Sequence, residues 1–139
     1  MTTAFVLALW AILSPGAERL PTAAPIADAI AVACAEDAAR GYVDAPLEAA
    51  TMAVYAFRES SLRPGVTGDG GKSCGAWQMQ CSAVRRLTLT DQARLWLSWV
   101  HASSLGDVDS SPGRARKRVR LAARLLGAVR DVGVAERQP

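Results

Sequence analysis

A mainly α, single-domain fold of about five helices is what this 139-residue sequence predicts. Three observations carry the prediction. Apolar residues recur at helical spacing along most of the chain, and no stretch alternates convincingly with period two. Prolines and small polar residues stand where helices would start. Five of the eleven glycines gather between residues 65 and 75, which marks that segment as a loop or short strand turn rather than a helix.

The opening AFVLALWAILSPG has about ten apolar residues, too few for an ordinary transmembrane helix. It reads either as a first core helix ended by Ser14-Pro15-Gly16 or as a weak signal-like segment, since MTT carries no positive charge and no good cleavage site follows. Residues 1–25 are therefore set apart from the domain proper. After the joint LPTAAP, the alanine-rich stretch 26–40 predicts a helix stopped at Gly41. Asp44 caps the next, with Pro46 in its first turn, and its apolar run from Leu47 ends by Arg63 because Pro64 disfavours helical geometry before it. Thr90 and Asp91 supply capping groups for a helix carrying Leu95, Trp96, Trp99 and Val100. Ser111-Pro112 opens a last helix to about Arg130, with Val119, Ala122, Leu126 and Val129 on one face and Arg116, Arg120 and Arg124 on another. The domain is placed at 26–130, and 131–139 is read as a tail.

Charge is uneven: residues 1–110 hold eight basic and eleven acidic side chains, residues 111–139 eight and two. The cationic end suits an anionic partner, and the apolar stripe opposite makes a solvated outer face the first reading of its arginines. Nucleic acid and membrane are disfavoured as partners. Cys34, Cys74 and Cys81 lack the close pairing of zinc or redox motifs, so neither a metal nor a cofactor is expected. Free, partly buried thiols are expected. Only a loop between Cys74 and Cys81 would reopen a bridge, because in one helix they stand roughly 10 Å apart. His101, the single histidine, has no evident partner and is assigned no role.

Glu59 lies in the last turns of the apolar third helix, on a face shared with Met52, Tyr55 and Ala56. Poor solvation there is expected to keep its carboxyl protonated near neutral pH, as a general acid needs. Beyond it come Ser60, Leu62 and Pro64, the glycine loop, and Gly75-Ala76-Trp77-Gln78-Met79. Tyr55, Trp77, Gln78, Gln80 and Ser73 offer the aromatic faces, amides and hydroxyls that hold sugars.

The Glu59-Ser60 pair, sixteen residues before Gly75-Ala76-Trp77-Gln78, resembles the core of the lysozyme-like lytic transglycosylases, whose relatives include goose-type lysozymes. The resemblance covers residues 45–82. It implies a lysozyme-like fold, Glu59 as acid and base, Ser60 as a polar orienting neighbour, Gln78 as an amide touching sugar or acid, and Met79 as the apolar closure of the turn. It further implies peptidoglycan glycan strands as substrate, cut between N-acetylmuramic acid and N-acetylglucosamine. In that family the substrate's acetamido group assists, and the same glutamate then deprotonates the 6-hydroxyl to give a 1,6-anhydro sugar. The family's later Tyr-Asn pair is missing; the chain has no asparagine, and Trp96 and Trp99 are the candidates to wall the same cleft. A retaining hydrolase would instead need a second carboxylate about 5 Å away, for which Asp69 is the nearby candidate, although a turn explains it as well. Lys72 and Arg63 could meet wall-peptide carboxylates. The expected setting is the cell wall or periplasm, reached by export or phage delivery, with a monomer acting there. A glycan-binding domain that does not cut is the alternative of a different class.

Overall fold

The computed structural model describes residues 2–42 and 44–137, with side chains as far as residue 133. Seven α-helices are present among the described residues: α1 (Thr3–Leu13), α2 (Ala23–Ala39), α3 (Ala45–Ser60), α4 (Cys81–Val84), α5 (Leu89–Ala102), α6 (Leu105–Asp109) and α7 (Pro112–Arg137). Three two-residue strands, β1 (Thr67–Gly68), β2 (Ser73–Cys74) and β3 (Met79–Gln80), form an antiparallel sheet in the order β1-β2-β3. The mainly α expectation holds. The count of five missed α4 and α6, which at four and five residues are too short to show periodicity.

The core is built around α3, which packs on α1, α2 and α7. Almost every residue from Ala49 to Ala56 is buried, consistent with a helix surrounded on most sides. α1 enters the core through Val6, Leu9 and Trp10, and the Trp10 indole N–H donates to the Ala53 carbonyl at 3.0 Å. Asp44 caps α3 as expected, accepting from the Leu47 amide at 3.3 Å with its own φ at 62°. α2 begins at Ala23 rather than at residue 26: Pro25 falls in the first turn, where a missing N–H costs nothing. Thr88, not Thr90 or Asp91, caps α5, by accepting from the Asp91 amide at 3.1 Å. α7 continues to Arg137, so residues 131–137 belong to that helix and the expected boundary at 131 is corrected.

The cysteines correct the sequence reading further. Cys74 and Cys81 form a disulfide, with Cα atoms 4.8 Å apart. A hairpin, not a helix, separates them: β2 pairs with β3, placing Cys74 opposite Met79 and bringing the start of α4 back beside it. Cys34 is free and buried. No helix of the described residues is long and apolar enough to cross a membrane.

Candidate active site

α3 ends abruptly. Ser61 and Leu62 take successive left-handed conformations (φ 52° and 60°), which non-glycine residues adopt only where the surroundings hold them there. Leu62 is fully buried, and Thr22 Oγ1 donates to its carbonyl. The carboxylate of Glu59 is thereby fixed on the edge of a cleft of about 620 Å³. Tyr55, Trp77, Trp96 and Trp99 supply its aromatic lining, Asp69, Ser73, Gln78, Met79 and Gln80 belong to the hairpin wall, and Asp107, Asp109 and Arg114 to the side of α6 and α7.

The hairpin wall is held by its own polar groups. Gln78, itself at φ 50°, donates from Nε2 to the carbonyls of Val66 at 2.8 Å and Gly75 at 2.9 Å. Its amide is thus engaged in stapling the loop to the turn, a different employment from the sugar contact the resemblance implies. Gly75 stands at φ 84°, and a Cβ there would run into the Gln92 side chain. Asp69 accepts from the Ser73 hydroxyl at 2.6 Å and also has a left-handed backbone, so the turn role and the place in the cleft coincide in one residue. Trp77 is buried, and its indole N–H donates to the Met52 carbonyl at 3.1 Å.

The surroundings of Glu59 differ from the apolar neighbourhood expected. Arg118 of α7 pairs with Glu59 Oε1, the two side chains being 14% and 28% exposed. Among the described residues nothing bonds Oε2. The same guanidinium lies over the Tyr55 ring, 4.7 Å from its centroid. Tyr55 in turn donates to Asp109 Oδ2 at 2.5 Å, and Asp109 is held from the other side by Arg114, whose Nε donates to Oδ1 at 2.6 Å. Burial and the Asp109 carboxylate push the Tyr55 phenol up, so it remains a hydrogen-bond donor. Glu59, Arg118, Tyr55, Asp109 and Arg114 therefore form one continuous polar chain under the cleft.

Of the residues singled out in the sequence, Glu59, Tyr55, Trp77, Gln78, Met79 and Asp69 line the cleft, while Ser60 and Gly75 do not. Ser60 is buried and its hydroxyl bonds back to the Ala56 carbonyl at 2.9 Å, one turn earlier in the helix, rather than to Glu59. Trp96 is buried and Trp99 half-buried, and both reach the cleft from α5. Arg114 and Arg118 were missed. Neither belongs to the outer face of Arg116, Arg120 and Arg124 that the sequence marks. His101 is also corrected: its Nε2 lies 2.5 Å from Asp37 Oδ2, and Tyr42 stacks on its ring at 3.8 Å.

Neither a family model, nor a curated protein sequence, nor a solved structure matches this chain.

Proposed function

We propose that this protein cleaves the glycan strands of peptidoglycan as a lytic transglycosylase, with Glu59 as both acid and base. The observation that carries the reading is a single one. A glutamate on a rigid helix end is partly open to a cleft lined by tyrosine and tryptophan, with one carboxylate oxygen tied and the other unengaged. Oε2 is the atom positioned to give a proton to a glycosidic oxygen and later to take one from a sugar hydroxyl. Arg118 fixes the plane of the carboxylate through Oε1. Trp99, half-buried, can offer the cleft an aromatic face of the kind sugar rings stack on, while Tyr55, Trp77 and Trp96, which also line it, are buried.

Among the described residues three further carboxylates line the cleft, Asp69, Asp107 and Asp109. Asp109 is occupied by Tyr55 and Arg114, and Asp69, the candidate nucleophile, by Ser73, which favours the route assisted by the substrate's own acetamido group over a retaining hydrolase. A glycan-binding domain without catalysis is the second reading. The Arg118 ion pair favours it, because it engages the carboxylate in a contact between α3 and α7 that a purely structural glutamate would also make.

The test is mass spectrometry of soluble products from purified peptidoglycan treated with the wild type and with Glu59→Gln. Products bearing a 1,6-anhydro sugar, reduced at least about 100-fold in the variant, are the expected outcome. Reducing-end products would turn the assignment to a hydrolase using Asp69. Wall binding without any release by the wild type would leave only the binding domain.

A further inference from the structure

At the opposite end of α3 a second polar cluster is assembled from three helices. Asp37 comes from the C-terminal end of α2, Glu48 from the first turn of α3 and His101 from the last turn of α5. One donor atom from each lies within 4.8 Å of the other two. His101 Nε2 is 2.5 Å from Asp37 Oδ2 and 3.8 Å from Glu48 Oε2. Asp37 is almost entirely buried, and Glu48 Oε1 is buried with no hydrogen-bond partner among the described residues.

We propose that Asp37, Glu48 and His101 bind a divalent cation of the zinc type. The geometry asks for little rearrangement: donor atoms around a tetrahedral zinc at roughly 2.0–2.1 Å stand about 3.3 Å from one another, between the two separations given above. One imidazole nitrogen and two carboxylates form a mixed set that suits zinc better than calcium or magnesium, which take oxygen alone. A water can complete the tetrahedron, because a pocket of about 220 Å³ reaches Asp37 and His101 from solvent.

Without a cation, two carboxylates stand within 4.8 Å of each other in a largely buried cluster. Arg40 reaches Asp37 Oδ1 at 3.3 Å, but its side chain is 63% exposed. A divalent cation neutralises both carboxylates and gives the orphaned Oε1 a partner. The site is independent of the cleft, because Glu48 and Glu59 are separated by eleven residues of one helix, about 16 Å along its axis.

The test is isothermal titration of tag-free, chelator-treated full-length protein with zinc chloride, alongside the d–d absorption of the cobalt(II)-loaded protein. Wild type and Glu59→Gln are expected to bind one zinc each with equal affinity. Glu48→Gln and His101→Asn should each weaken binding at least about tenfold with unchanged far-ultraviolet circular dichroism. The proposal is overturned if the wild type takes up no stoichiometric zinc, if it prefers calcium or magnesium, or if zinc affinity is unchanged in His101→Asn, which removes the only histidine of the chain. Should either variant misfold, the wild-type titration and the cobalt spectrum still decide.

Discussion

Glu48 and Glu59 stand on the same helix, eleven residues apart, in surroundings that have little in common. At its C-terminal end α3 meets an arginine from α7, and Glu59 keeps one oxygen open to a cleft walled by a hairpin. At its N-terminal end Glu48 is pressed against another carboxylate and an imidazole. The difference teaches that helix position alone does not give a carboxylate its chemistry. Here the decisive partners come from residues 37, 101 and 118, all distant in sequence.

Reducing the Cys74–Cys81 bridge should affect one end and spare the other. Opening so short a loop is expected to cost about 2.5 kcal/mol, measured by urea unfolding with and without reductant, and to lower wall cleavage by loosening the hairpin. Zinc affinity at the Glu48 end should change by less than about twofold, since well-separated sites act independently. An equal loss at both ends would mean that the hairpin and the helical body unfold as one unit.

Arg118→Met separates aim from chemistry at the Glu59 end. Turnover on glycan should fall about tenfold through lost positioning, with KM little changed. A rise in turnover would instead show that the ion pair restrains the acid.

A smaller and opposite sign belongs to Glu48. Its folded carboxyl titrates near 7 rather than at the usual 4.5, so between those values the folded chain holds a proton that the unfolded chain has released. Stability from this group is therefore fully present below about 4.5 and is lost as pH rises through 7. Asp37 and Cys34 from α2 and His101 from α5 face this carboxyl, while Arg40 pairs with Asp37. The contribution is best read as the difference between wild type and Glu48→Gln in chelator, by thermal unfolding across pH 4 to 8. A flat difference would remove the burial argument.

Much of the helical frame was legible because the signals were local: Asp44 as a cap, Pro46 in a first turn, Pro64 as a stop, the glycine cluster as a loop. The hairpin was only half legible, since two-residue strands are too short for any alternation to register. Glu59 and the turn around Trp77 were legible as a motif, whereas their partners depend on pairing between helices. One signal was present and unread. Arg118 falls three residues after buried Ala115 and four before buried Ala122, within the apolar stripe of α7, and Asp37 stands four after buried Ala33 in α2. An ionisable residue in such a stripe must find a partner on the facing element. That rule points to both polar clusters without naming the partner.

The left-handed turn at Ser61 and Leu62 has a further consequence for how the cleft can behave. Helix ends are ordinarily where a fold breathes most cheaply. Here the end is sealed by buried Leu62 and moored to Thr22, so the Glu59 carboxylate sits on one of the stiffer points of the molecule. Compliance is left to the facing wall, where residues 65–72 are mostly exposed and glycine-rich. The cleft thus has one stiff jaw and one that can yield.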